Sequence, residues 1–241
     1  MTRRILYTGL RAPEATDDVR LVHAPAIAVQ YRKPDDEDGA RGFLVRKPRL
    51  LFPSRHAVLG FAKWLSEVDE LASVRGAESF AVGASTAAVA RERLGLDPRT
   101  PDESTARGLT RLLDTLAARP ALFVAGEDRR PEIPEWLADH PSPAREIHVY
   151  RTERLANDDL RREFHDDPQE SIVFTSPSTV QGFLKSTDRS DLRDVASRLI
   201  AIGPTTADAI EAAQGTVHLT APEPDAGRLL EALRAASPET A

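Results

Sequence analysis

Cysteine is absent from the 241 residues, which excludes a disulfide framework, a thiolate metal site and a cysteine nucleophile. Long apolar runs are missing as well. The opening stretch, MTRRILYTGLRAP, has Arg3 and Arg4 followed by only a short apolar run before Thr8, Gly9 and Arg11. That is too little for a signal-peptide core or a membrane span, so a cytoplasmic protein with no membrane association is expected. A surplus of positive charge is lacking too. The formal charge is −6, without the basic footprint that phosphate contacts leave on a nucleic-acid binder, and no nucleic-acid partner is expected. Lysine is scarce: apart from Lys33, Lys47, Lys63 and Lys185, the 32 basic residues are arginine. Arginine's planar fork suits carboxylates, but a GC-rich genome gives the same bias and is the more economical reading.

Several chemical signatures are also missing. The chain has neither GxGxxG nor GxxxxGK[ST], so it carries no dinucleotide or triphosphate fingerprint. His23, His56, His140, His148, His165 and His218 show no HxxxH or HExxH spacing, so no metal is expected. No GxSxG elbow supports a serine triad. The acidic runs Asp35 to Asp38 and Asp166-Asp167 read as solvated charge.

What the chain does contain is a duplication. SIVFTSPSTVQGF (Ser171 to Phe183) repeats LLFPSRHAVLGF (Leu50 to Phe61) at a constant offset, pairing Phe174 with Phe52, Ser176 with Ser54, Val180 with Val58, Gly182 with Gly60 and Phe183 with Phe61. Downstream, AIGPTTADAIEAAQG (Ala201 to Gly215) repeats AVGASTAAVARERLG (Ala81 to Gly95), with Gly203 on Gly83 and Thr206 on Thr86. Long-period self-similarity is read before any local pattern. Here the unit is domain-sized, and a 41% hydrophobic content can fill two modest cores.

From Leu50 apolar runs and helical periodicity alternate. Strands are expected at Leu50 to Phe52, Ser79 to Val82, Ala121 to Val124 and Glu146 to Tyr150. Helices are expected at His56 to Val68, Thr86 to Leu94, Ala106 to Ala118 and Pro134 to Asp139. This is a doubly wound α/β series. The charged segments 30–49 and 151–159 read as linkers, with Tyr31 and the Phe43 to Val45 run pairing as a ribbon. The unit from Ser171 to a last helix at Ala226 to Ala235, with SPETA as a disordered tail, lacks a strand pair, whereas Arg4 to Tyr7 and Ala26 to Val29 are strands without a home. The simplest assembly is one discontinuous α/β domain, 1–29 plus 160–241, with 50–150 inserted as a second. ILYTG (Ile5 to Gly9) then corresponds to LFVAG (Leu122 to Gly126).

Ligands of parallel sheets gather at the carboxyl ends of the strands, where helix amino termini point N–H groups outward. Ser176, before Pro177, is an expected N-cap. Thr205 with Asp208 reads as a capping box, and Ser85 or Thr86 as the equivalent cap. Taken singly, most such hydroxyls are plain caps. Four helix starts in two symmetric pairs, turned toward one cleft by facing domains, would make an anion site. Tyr150 closes the strand IHVY beside the second linker, with a phenol able to donate a proton. A lone strand tyrosine is more often a packing residue.

FTSPSTV (Phe174 to Val180), IGPTTADAI (Ile202 to Ile210), VGASTAAV (Val82 to Val89) and VYRTE (Val149 to Glu153), in this order and spacing, resemble uroporphyrinogen-III synthase. The resemblance covers nearly the whole chain. It implies two flavodoxin-like parallel-sheet domains joined by a two-stranded linker, with the amino-terminal strands returning to the carboxy-terminal domain. It also implies cyclisation of hydroxymethylbilane, a linear tetrapyrrole with eight carboxylates, to uroporphyrinogen III in haem biosynthesis, without cofactor or metal. A monomer is expected, with hydroxymethylbilane synthase as the candidate supplier of its substrate. By motif, Tyr150 matches the family's cleft tyrosine, a general acid for the leaving hydroxyl. Thr86 and Thr206, with the neighbouring Thr205, match the hydroxyls at the Gly-x-x-Thr helix starts, and Ser176 and Ser178 match the FTSPS turn, as carboxylate-binding groups. The chain departs from the family in reading FPSRHAV where an FTS-type turn is common.

Overall fold

Strands that are apolar on both faces, such as RLLF and SIVF, require helices on both sides of their sheet. In the computed structural model, which describes residues 3–13, 19–166, 170–221 and 229, all eight of these strand residues are buried. In chain order the elements are β1 (Arg3–Tyr7), β2 (Val19–His23), β3 (Ile27–Tyr31), α1 (Glu37–Leu44), β4 (Arg49–Phe52), α2 (Arg55–Glu67), β5 (Ser79–Ala81), α3 (Ala84–Leu94), α4 (Ala106–Asp114), β6 (Ala121–Gly126), α5 (Glu132–Asp139), β7 (Ala144–Arg154), α6 (Asp158–Asp166), β8 (Ser171–Phe174), α7 (Pro177–Ser186), β9 (Arg198–Ala201), α8 (Pro204–Ala212) and β10 (Val217–Thr220). The chain divides into two compact units, one of residues 1–28 with 153–241 and one of residues 29–152. The helix expected over Ala226 to Ala235, Leu229 apart, and the tail after it lie outside the described residues.

The first unit holds a five-stranded sheet in the order β10-β9-β8-β1-β2, parallel throughout. Counted within the unit this is the doubly wound order 2-1-3-4-5, whose switch point lies between β1 and β8. Ile172, Phe174, Val180 and Phe183 pack with Leu6 on one face, and Val173 and Ile200 with Ile5 and Tyr7 on the other. The second unit holds the order β3-β7-β6-β4-β5, with the β4, β5, β6 and β7 pairings parallel. Its cores form around Phe52, Phe61 and Trp64 on one face and around Leu51, Phe80 and Phe123 on the other. β1 beside β8 takes the same place as β6 beside β4, so Gly9, two residues past β1, and Gly126, the last residue of β6, are equivalent.

The segments read as linkers are built of secondary structure. Phe43 does not belong to a ribbon strand. Asp36 caps α1, its side chain accepting from the Gly39 N–H at 2.9 Å, and Ala40 and Phe43 are buried one turn apart. The acidic run is thus a helix start rather than only solvated charge. β3 instead lies beside β7, where the Arg32 N–H donates to the Val149 carbonyl at 2.9 Å. Residues 151–159 finish β7 and begin α6. The Asn157 side chain starts this helix by accepting from the Asp159 and Leu160 N–H groups. Leu160 is fully buried, and Phe164 meets Phe183 edge-on at 5.0 Å. The partner of β1 in the first thirty residues is VRLVH, not Ala26 to Val29, whose residues fall in and next to β3.

The repeated glycines have a packing reason. A Cβ on Gly60 would stand 2.6 Å from the Val149 carbonyl oxygen, and one on Gly182 would overlap that of Ala26. Each helix therefore rests directly on a neighbouring backbone.

Candidate functional site

Four helices begin just beyond the carboxyl ends of their strands: α2 after β4 and α3 after β5 in one unit, α7 after β8 and α8 after β9 in the other. In α7 the sequence expectation holds. Ser176 is the N-cap, Pro177 occupies the first turn, and the Ser176 hydroxyl accepts from the Thr179 N–H at 3.3 Å. The organising residue of the turn is Thr179. Its hydroxyl donates to the Ser176 carbonyl at 2.7 Å and accepts from the Thr175 and Ser176 N–H groups at 3.1 and 3.2 Å. Those two amides are committed to the turn, and Ser178 follows Pro177 half-buried in the first turn.

The other pair of starts differs from expectation. Neither Thr205 with Asp208 nor Ser85 or Thr86 forms the cap, because α3 and α8 begin earlier, at Gly83 and Gly203. Both glycines are extended, and both lack a side-chain cap. The Gly83 carbonyl accepts from Thr86 and Ala87, and the Gly203 carbonyl from Thr206 and Ala207. Thr86 and Thr206 are therefore third-position residues, 5% and 2% exposed. Ser85 and Thr205, one position earlier, are exposed.

In the second unit the residue of the departing turn, Ser54, does the same work as Ser176. Its hydroxyl accepts from the Ala57 N–H at 3.1 Å, capping α2. The same oxygen lies 3.0 Å from the Tyr150 hydroxyl. A serine oxygen has one proton and two acceptor positions. With one position filled by Ala57, Ser54 can donate to the Tyr150 oxygen and leave the phenol proton directed elsewhere. The Tyr150 ring covers Gly126, where a Cβ would stand 2.5 Å from Cζ. On another side it meets His56, with ring centroids 5.8 Å apart. His56 Nδ1 is in turn 2.9 Å from the Tyr31 hydroxyl.

Burial raises the Tyr150 pKa above the ordinary phenol value of 10.0, and Asp128 adds to that, while the Ser54 hydrogen bond works in the opposite direction. The phenol is accordingly protonated at neutral pH. Sequence reasoning did not single out Tyr31, Ser54 or His56 as neighbours of Tyr150, since they come from β3 and the α2 start and no local pattern links them to β7. At the matching place in the first unit, the Thr8 hydroxyl donates to the Val173 carbonyl at 2.7 Å and His23 Nε2 to the Gly9 carbonyl at 2.8 Å. Among the described residues no cluster of three or more His, Asp or Glu side chains could hold a metal ion, and no helix is long and apolar enough to cross a membrane.

Parallel sheets with helix starts at the carboxyl ends of their strands, in two related copies, define a duplicated α/β protein, a class in which ligands generally bind at those ends. The chain belongs to the uroporphyrinogen-III synthase family: the profile of Uroporphyrinogen-III synthase HemD matches residues 16–231. Among solved structures it is similar to the uroporphyrinogen-III synthetase of Helicobacter pylori, with a TM-score of 0.72 and 16% identity over 98% of this chain and 100% of that one. A mutant uroporphyrinogen III synthase of the extremely thermophilic bacterium Thermus thermophilus gives a TM-score of 0.68 and 19% identity over 97% and 98%. At such identities these likenesses speak for the fold. No curated protein sequence matches significantly.

Proposed function

We propose that the protein cyclises hydroxymethylbilane to uroporphyrinogen III with inversion of the last ring and release of water, a carbon–oxygen lyase step of haem biosynthesis carried out on two flavodoxin-like units. Beyond family membership, the observation that carries this reading is the protonated Tyr150 phenol, braced by Ser54 at the amino end of α2. In the proposed sequence the phenol gives its proton to the terminal hydroxyl, the carbon–oxygen bond breaks, and water leaves an azafulvene. Attack on the far ring forms a spiro intermediate that fragments and recloses. The proton lent by Tyr150 is balanced by the one that the terminal pyrrole carbon loses at closure. Thr86, Ser176, Ser178, Thr205 and Thr206, with the amides and dipoles of their helix starts, would hold substrate carboxylates. Holding the chain curled against uncatalysed closure is positioning chemistry.

The test supplies fresh hydroxymethylbilane and resolves uroporphyrin I from III after oxidation. The type III fraction should rise above the enzyme-free control, and should do so equally in EDTA. Type I alone from folded protein would overturn the reading, and activity that EDTA abolishes and added metal restores would contradict a metal-free reaction.

The Tyr150 phenol also leaves a pH signature on stability. Its folded-state pKa is raised, so the advantage of the protonated phenol is complete below the unfolded value and is lost as pH rises through the folded one. Wild type should lose stability relative to Tyr150→Phe only above about pH 10. Urea midpoints of the two proteins measured from pH 7 to 11 check this, and divergence already near neutrality would contradict it.

A further inference from the structure

We propose that His56, anchored by Tyr31, is a positioning residue that aims the Tyr150 phenol. What the aimed proton is used for rests on the proposed function, whereas the aiming itself rests on geometry. A tyrosine held by one hydrogen bond, here the 3.0 Å contact with Ser54, can still swing about its side-chain torsions. What restricts that swing is a pair of surfaces that its ring touches. One is the Gly126 backbone, so close that no side chain fits there. The other is the His56 imidazole, at 5.8 Å and an interplanar angle of 50°.

His56 is itself held. It occupies the second position of α2, two residues from the capping Ser54, so one rigid helical turn carries both the hydrogen-bond partner and a ring wall of Tyr150. Its ring orientation is set from β3, where the Tyr31 hydroxyl lies 2.9 Å from Nδ1 and the two ring centroids are 6.1 Å apart. β3 and β7 are neighbours in the sheet, so Tyr31 and Tyr150 approach the imidazole from adjacent strands. A histidine used only to fill space has no need of a phenol partner. Here that bond stops the imidazole from turning and keeps the wall in place.

The experiment measures steady-state formation of uroporphyrinogen III from fresh hydroxymethylbilane by His56→Ala, His56→Phe and Tyr31→Phe, each in the wild-type and the Tyr150→Phe background. His56→Ala should lower kcat roughly tenfold with KM little changed, the scale expected of a misdirected catalytic group. His56→Phe, which restores the wall but not the Tyr31 bond, should recover part of the loss, and Tyr31→Phe should show a similar partial loss. None of them should cost anything further once Tyr150 is phenylalanine. A second readout needs no turnover. The sequence has three tyrosines, so ring-labelled tyrosine NMR yields few signals, and that of Tyr150 is assigned by its loss in Tyr150→Phe. His56→Phe, the variant safest for folding, and His56→Ala should both move this resonance, the alanine more, with faster ring flipping. Should wild type make no type III isomer, the functional reading fails and the NMR result still decides the positioning. Losses that persist undiminished in the Tyr150→Phe background, or a Tyr150 resonance unmoved in the His56 variants, would overturn the proposal.

Discussion

Replacing Tyr150 by phenylalanine should slow type III formation by about tenfold to a hundredfold and leave the unfolding midpoint almost where it was. The substitution keeps the ring in contact with His56 and Gly126 and removes one oxygen, the partner of Ser54 at 3.0 Å. Ser54 retains its cap on the Ala57 N–H, so α2 loses nothing at its start. The stability cost is limited to one partly exposed hydrogen bond, about 1 kcal/mol or less, and burial of the phenol oxygen is relieved in exchange. For turnover the expectation is different. A positioned general acid typically contributes a hundredfold or more, and because the hydroxyl of this substrate departs readily, the lower part of that range or below is expected. Single-turnover kinetics alongside thermal unfolding separate the two quantities. Wild-type turnover in the variant would remove the acid role and leave the reaction to backbone amides and substrate folding.

Why Tyr150 could be picked out while its surroundings could not follows from where each signal lies. Tyr150 ends an apolar run, which is a local pattern. Ser54 lies 96 residues away, and only the register of β7 beside β6 and of β6 beside β4 brings them together. The same division runs through the fold. The strands and helices from Leu50 to Tyr150 were legible because strands buried on both faces and helices with an apolar stripe leave strong periodic patterns. The helix α1 left almost none. It is eight residues long with two glycines, and buries only Ala40 and Phe43, so composition pointed to a linker while the cap at Asp36 carried the information. At α7 a proline in the first turn fixed where the helix starts, and Ser176 was read correctly. At α8 Pro204 gives the same signal, but the hydroxyl of Thr205 reads as a cap by residue type, whereas the cap is Gly203, just before the proline.

Gly182→Ala and Gly42→Ala make the same chemical change inside a helix and should have opposite effects. Alanine is the better helix former by up to about 1 kcal/mol, and at Gly42, in α1, nothing lies within 4 Å of the added carbon. That variant should gain about 0.5–1 kcal/mol. At Gly182 the new carbon would overlap the Ala26 carbonyl oxygen and stand 2.8 Å from its carbon. The Ala26 backbone has little freedom to yield. Its N–H donates to the Thr8 carbonyl at 3.0 Å, and its carbonyl accepts from the Leu155 N–H at 3.0 Å. The preceding Pro25 carbonyl accepts from the Asn157 side chain at 2.9 Å. The helix must move instead, which draws Val180 and Phe183 out of a core where they are 1% and 0% exposed. Overpacking of this kind costs about 1–3 kcal/mol, enough to outweigh the helix-propensity gain and to remove a sizeable part of a stability that is small in any domain. Urea unfolding should therefore place the Gly42→Ala midpoint above wild type and the Gly182→Ala midpoint below it. A Gly182→Ala protein as stable as Gly42→Ala would mean that the backbone at Ala26 can give way despite its hydrogen bonds.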